Sequence, residues 1–300
     1  MQNAHNPLTD SMKRTTPIVA IFMLCIALAT AQEHAAKGLV LEVDQAHHRI
    51  VVSCDPIPGY MVAMDMAFRV EAAGEFDVIK PGAIIRFTIV EHGSAPLAKN
   101  IQPVANFESE PAAAGALSAL NSAVNSPLPT PPAVSIGQAV PDFTLTDQAG
   151  RAVSLSQFRG KVVALTFGYS RCPNPNYCLR LSRNLEQVEK RFHDRAGRDL
   201  VLLTVAINPE YDQGPALARY AESFGADAKN WHFLTGTKQE IHQVAGMFGM
   251  NFWNTEGLLT HTLHTILIDR EGRLAANIDG NQFSAQQLGD LVKAVMNRPT

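Results

Sequence analysis

Hydrophobic and polar positions follow two different periods along this chain, separated by a stretch that follows neither. From residue 38 to 105 the apolar residues come in short, largely β-branched runs: Gly38–Val43, Arg49–Val52, Met64–Val70, Ile84–Val90 and a last one near Ala98–Val104. Polar turns at Asp44–His48 and Lys80-Pro81-Gly82 punctuate them. About five short strands in so few residues predict a small all-β, OB-like barrel over 37–106.

From Val140 onward, strand-like and helix-like stretches alternate. Val162–Gly168 and Leu200–Ile207 are continuous apolar runs, as expected of buried strands. Helices are predicted near 177–194, 215–224, 238–248 and 284–296, and His264–Asp269 and Leu274–Ile278 flank a turn at Glu271-Gly272. The expectation over 137–298 is a mixed sheet of about five strands flanked by helices. A pair of cysteines stands at the first long strand-to-helix junction and no glycine-rich dinucleotide fingerprint is present. The pattern therefore fits an α/β thioredoxin-like domain better than a Rossmann fold. Residues 107–136, rich in Ala, Pro and Ser and poor in aromatics, read as a flexible linker with a reach of roughly 30 Å.

The N-terminus changes the expected compartment. Lys13 and Arg14 precede Ile18–Ala29, twelve apolar residues, and Ala29-Thr30-Ala31 offers small residues at both cleavage-site positions. Residues 12–31 thus read as a signal peptide, with Met12 a candidate start and Cys25 part of the apolar segment. A span needs about 20 apolar residues, so a cleaved signal is favoured over an uncleaved anchor, and a periplasmic location is expected. Net charge is −3, and no basic stripe suggests nucleic acid. No small-molecule substrate is evident. Of four cysteines, Cys54, Cys172 and Cys178 remain after export, so at least one thiol has no partner within the chain.

Five residues separate Cys172 from Cys178, with Pro173 and Pro175 among them. The prolines disfavour helix before them, which puts Cys172 on a loop and Cys178 in the first helical turn, with Asn174 or Asn176 available as cap. Arg171 and the helix N-terminus favour thiolate. Three readings stay open: a structural disulfide, a redox pair, or two soft metal ligands.

FGYSRCPNPNYC, with FTLTDQAGRAVSLSQFRGKVVALTF before it and WHFLTG and HTLHTILIDREGRL after it, resembles the SCO/SenC family of thioredoxin-like copper proteins over roughly 135–297. The resemblance implies copper bound by Cys172, Cys178 and His261, which lies eight residues before Asp269, and a role in assembling the binuclear copper centre of cytochrome oxidase. The family's loop is usually Cys-x-x-x-Cys, Thr260 stands where it usually has Asp, and Asn208-Pro209 replaces Asp-Pro. His264 is expected to be an ordinary sheet histidine.

A second candidate site lies between Cys54 and Phe68. Met64 and Met66 share one face of a strand with Phe68, so core filling competes with binding of a soft cation such as Cu(I). GLVLEVD, DPI, the Met-x-Met-x-Phe strand and IKPG resemble the CusF-like copper-binding barrel. That resemblance puts Met64 and Met66 on the family's methionine pair, Cys54 at its ligand histidine and Met61 at its tryptophan. His47 and His48 read as solvated turn residues.

The expectation is an exported copper chaperone with two copper sites. Its partners would be an apo copper-site client, such as a cytochrome oxidase subunit, and periplasmic thiol reductants. Two alternatives are kept: a thiol-disulfide oxidoreductase or thiol peroxidase using Cys172 and Cys178, and copper sequestration without a client.

Overall fold

The computed structural model describes residues 33–91, 95–104, 133–255 and 258–298. The predicted signal peptide and residues 107–132 of the predicted linker lie outside the described residues.

Five strands make the N-terminal domain: β1 (Glu33–Asp44), β2 (Arg49–Cys54), β3 (Met64–Val70), β4 (Ile84–Val90) and β5 (Leu97–Pro103). They close in the order β1-β2-β3-β5-β4, with β4 pairing back onto β1, so the barrel has no free edge. Val40, Ile50, Val52, Phe68, Ile85 and Ile89 fill it. Gly82 takes φ +90° in the turn before β4, where Ala83 N donates to the Lys80 carbonyl. Only a residue free of Cβ strain takes that φ readily.

β1 departs from a one-sided barrel strand. Gly38 through Leu41 are all buried, and the pairing with β2 shifts register between Val40 and Glu42. Val40 points into the barrel, while Leu39, Leu41 and Ile84 belong to the core of the second domain.

That second domain is a seven-stranded sheet. Its strands are β6 (Thr144–Asp147), β7 (Ala152–Ser154), β8 (Val162–Gly168), β9 (Leu200–Ala206), β10 (Trp231–Thr235), β13 (His264–Ile268) and β14 (Leu274–Asp279). The order is β14-β13-β8-β9-β10-β6-β7. β8, β9 and β10 are parallel and the outer pairings antiparallel. The helices are α1 (Cys178–Arg191), α2 (Gly214–Glu222), α3 (Lys238–Met247) and α4 (Ala285–Met296). Leu181 and Leu185 of α1, Leu217 of α2 and Leu288 and Leu291 of α4 share one core cluster. Ile241 and Val244 of α3 belong to the other. A separate hairpin, β11 (Phe252–Thr255) with β12 (Leu258–His261), precedes β13. The sheet exceeds the expected five strands, and β10, β11 and β12 are the elements sequence patterning missed. The end of the predicted linker belongs to this domain: Val134 and Ile136 pack on its core, and Val134 N donates to the Met247 carbonyl.

The barrel sits on α4 through polar contacts as well as the three apolar side chains. Ser53 Oγ donates to Asp290 at 2.8 Å. Gln287 Nε2 donates to the Ser53 carbonyl at 3.1 Å and to Asp55 Oδ1 at 3.0 Å. Just before α4, the Gln282 carbonyl accepts from Lys37 Nζ at 3.4 Å.

Candidate metal centre

All seven residues of β8 are buried, so the chain leaves the sheet from a rigid, two-sided core. Gly168 ends that strand. A Cβ there would lie 2.9 Å from the Tyr220 hydroxyl and 3.4 Å from Cys178 Cβ, so glycine lets the start of α1 close on the strand end. The loop then folds on itself. Ser170 N donates to Asp212 at 3.1 Å, and the Ser170 hydroxyl bonds the same carboxylate. Cys172 N donates to the Tyr169 carbonyl at 3.2 Å.

Cys172 lies on the loop and Cys178 opens α1, as expected, and the two form a disulfide. Cys172 is half-buried and Cys178 has no exposure. The expected asparagine cap is absent. Tyr177, not an asparagine, holds the N-cap position, and Asn174 Oδ1 accepts from Asn176 N at 2.9 Å within the loop. The Arg171 guanidinium lies 3.9 Å from the centre of the Tyr211 ring.

His261 closes β12, opposite Phe252. Its Nδ1 is 2.8 Å from the Thr262 carbonyl. A carbonyl only accepts, so Nδ1 carries the proton and Nε2 the lone pair. Nε2 is buried and meets no hydrogen-bond partner among the described residues. Burial pushes the imidazole pKa down to about 4, opposed by the Thr262 bond and reinforced by His264. The result is a neutral, oriented imidazole with a free lone pair, the form a soft or borderline cation requires. Tyr169, which sequence reasoning did not single out, ties this hairpin to the cysteine loop. Its ring meets His261 edge-on at 6.0 Å and its hydroxyl donates to the Leu259 carbonyl at 2.8 Å. It stands third in the FGYSRC stretch, three residues before Cys172.

The disulfide occupies both sulfurs with each other. Among the described residues, no three His, Cys, Asp or Glu side chains are gathered closely enough to hold a metal. His264 is an ordinary sheet histidine: buried in β13, its Nδ1 donates to Asn277 Oδ1 at 2.9 Å.

In the barrel, Cys54 stands directly across from Met64, and Val52 from Met66. Cys54 is a free thiol with 1% exposure. Burial, then the charges of Asp55 and Asp65, push its pKa up to about 12, so it is protonated unless a cation replaces the proton. Met61 and Met66 are half-buried against the barrel core, and Met64 is 44% exposed. Ile57 and Met61 form a tight backbone bridge that brings Met61 to the same end. Beside it the rings of His34 and Tyr60 stack at 3.6 Å, a pair the sequence did not announce. His47 pairs with Asp44 in an exposed turn, and His48 Nδ1 donates to the Val70 carbonyl at 3.3 Å, so neither histidine belongs to this cluster.

Comparison with known proteins decides the family. Residues 135–297 match the SCO1/SenC family model, which is more than half of the chain. The chain belongs to the SCO1/SenC family. Residues 33–103 match the model described as copper binding periplasmic protein CusF, so the SCO/SenC domain is fused to a CusF-like barrel. The SCO2 homologue of Homo sapiens, a mitochondrial protein, is 28% identical over 169 residues. That alignment takes in 54% of this chain and 60% of the human one. The SCO1 homologue of Bacillus subtilis is 28% identical over 107 residues, 35% of this chain and 54% of its own. These relatives are thus matched over little more than half of their length. A copper-bound ScoI structure from Arabidopsis thaliana is 23% identical, with a TM-score of 0.47, over 54% of this chain and 100% of that one.

Proposed function

We propose that this is an exported copper chaperone whose cargo sites are Cys172, Cys178 and His261 in the SCO/SenC domain and Cys54, Met64 and Met66, with Met61, in the barrel. Its client is an apo copper-site protein of the cytochrome oxidase kind. The observation that carries the reading is His261 Nε2, a lone pair buried without a hydrogen-bond partner among the described residues, on a hairpin tied by Tyr169 to the cysteine loop. An unpartnered buried polar atom costs stability, and a bound cation is the compensation that fits two sulfurs and an imidazole. Since the sulfurs are joined to each other, the pair must first gain two electrons; copper then takes the place of the thiol protons.

The donor sets support Cu(I) in the barrel, where a thiol and thioethers dominate, and either copper oxidation state at the Cys-Cys-His set. In the barrel Cys54 must lose its proton on binding, so uptake there rises with pH.

Anaerobic titration of the fully reduced chain with Cu(I) against a graded competitor tests this. The expected result is two coppers per chain. Cys172→Ala with Cys178→Ala removes one, and Cys54→Ser removes the other. X-ray absorption on each half-loaded variant should count a nitrogen neighbour at the first site and sulfur alone at the second. A wild-type chain that takes up no copper at competitor strengths spared by known chaperones overturns the proposal.

A second reading, a thiol-disulfide oxidoreductase, is favoured by the disulfide itself, with one half-buried and one fully buried sulfur. His261 separates the two readings: His261→Ala abolishes the first copper in a chaperone and leaves thiol exchange untouched in an oxidoreductase.

A further inference from the structure

The carboxyl ends of β8 and β9 lie side by side, with Gly168 opposite Ala206 and Ile207 N donating to the Gly168 carbonyl at 2.9 Å. One strand runs on into the cysteine loop. The other runs into a turn, Asn208–Asp212, in which Tyr211 N and Asp212 N both donate to the Asn208 carbonyl. Two consecutive residues of that turn hold two consecutive residues of the loop. The Asp212 carboxylate, fully buried, accepts from Ser170 N at 3.1 Å and from the Ser170 hydroxyl. The Tyr211 ring faces the Arg171 guanidinium, 3.9 Å from its carbon to the ring centre.

A buried carboxylate is costly unless hydrogen bonds or charge compensate it. Burial pushes the Asp212 pKa up, and the Ser170 bonds and the Arg171 charge oppose that shift. The compensation thus comes from the cysteine loop. Ser170 and Arg171 are the middle of a tight turn whose last residue is Cys172, with Cys172 N donating to the Tyr169 carbonyl at 3.2 Å. Tyr169, the first residue of the same turn, bonds the His261 hairpin. When the disulfide is closed, the S–S bond itself holds Cys172 in place. In the open dithiol that tether is gone, and the turn is what remains. A brace on Ser170 and Arg171 therefore lowers the conformational freedom that Cys172 gives up on meeting Cys178 or a cation.

We infer that Asp212, assisted by Tyr211, is a positioning residue of the cysteine site: it keeps Cys172 of the open dithiol where the closed states need it, and so favours both the disulfide and the copper complex. The copper half of this inference rests on the chaperone reading, and the disulfide half does not.

The test is equilibrium of the full chain with glutathione and its disulfide, read by thiol alkylation. Two glutathione thiols become one glutathione disulfide as the protein disulfide gains two electrons and two protons. Ser170 is exposed, so Ser170→Ala removes the hydroxyl bond without disturbing the core. Its equilibrium constant for reduction should rise about fivefold, the effect of one hydrogen bond. Tyr211→Leu, also at an exposed position, should shift it the same way by about twofold. Ser170→Thr, which keeps the hydroxyl, should match the wild type. Cu(I) affinity of the Cys172–Cys178–His261 site should fall about fivefold in Ser170→Ala, while the Cys54-dependent copper is unchanged. A wild-type redox equilibrium in Ser170→Ala, or an equal shift in Ser170→Thr, overturns the inference. The redox shift in a chain whose wild type takes up no copper overturns the chaperone reading alone.

Discussion

Glu189 on α1 carries an oxygen, Oε1, that is buried and meets no hydrogen-bond donor among the described residues. Burial raises its pKa to about 7 from an ordinary 4.5. The folded state therefore holds a proton that the unfolded chain releases between these values. Stability is lost as pH rises from about 4.5 through 7, and is flat above. Glu189→Gln removes the ionisation and fits the same space. At pH 8 it should be more stable than the wild type by about 1–2 kcal/mol, allowing for the side chain's partial exposure. Below pH 4.5 the two should agree. Urea denaturation across that range measures it, and parallel profiles for the two proteins would contradict the assignment. His261 illustrates the other side of residue-level reading. Its residue type and spacing marked it only through a family resemblance. What makes it ligand-like is a lone pair left buried and free, a property of the tertiary environment that no local pattern encodes.

The hairpin β11–β12 is the element that delivers that lone pair. Its hydrogen bond to the cysteine loop among the described residues is Tyr169 Oη donating to the Leu259 carbonyl, beside the ring contact of Tyr169 with His261. Tyr169→Phe keeps the ring against His261 and removes the bond. The expected cost is about 1 kcal/mol, concentrated in the hairpin. Amide exchange in Leu258–His261 should quicken several-fold while β13 stays protected. Uniform exchange changes over the domain would show instead that the bond acts on global stability. β11 and β12 were not legible in the sequence because each has four residues, too few for a period to be read. β10, at five residues, suffers from the same shortness, and its half-buried His232 interrupts the apolar run. β8 and β9 were legible because interior parallel strands are covered on both faces and write an unbroken apolar sequence. The barrel strands were legible through their turns.

At the scale of the whole molecule, the sequence suggested two tethered domains, and the structure joins them through a shared core. The clue was present in β1: a barrel strand with one wet face alternates, and Gly38-Leu39-Val40-Leu41 does not. Leu39, Leu41 and Ile84 each bury an apolar side chain against the α4 core, at about 2 kcal/mol apiece, or about 6 kcal/mol together. A covalent connection supplies an effective concentration near millimolar, so separation of the domains regains only about 4 kcal/mol. Burial wins, and the docked state is the stable one. Docking also links the barrel to the cysteine loop. The Gln282 carbonyl accepts from Lys37 of the barrel, and the neighbouring Asn281 amide bonds the Asn176 carbonyl of the cysteine loop. One loop thus touches both the barrel and the cysteine loop. Asp65, between Met64 and Met66, has its pKa raised by desolvation and by the Asp290 carboxylate of α4 facing it, so the methionine strand itself borders the interface. It follows that the two domains unfold together. Calorimetry of the wild type should give a single transition. Leu39→Lys leaves the barrel interior intact but puts an ammonium into the shared core. It should split the transition in two, the barrel melting at the lower temperature, while the barrel's Cys54-dependent copper is retained. A single, unshifted transition in Leu39→Lys would mean that Leu39 does not hold the barrel to the second domain's core.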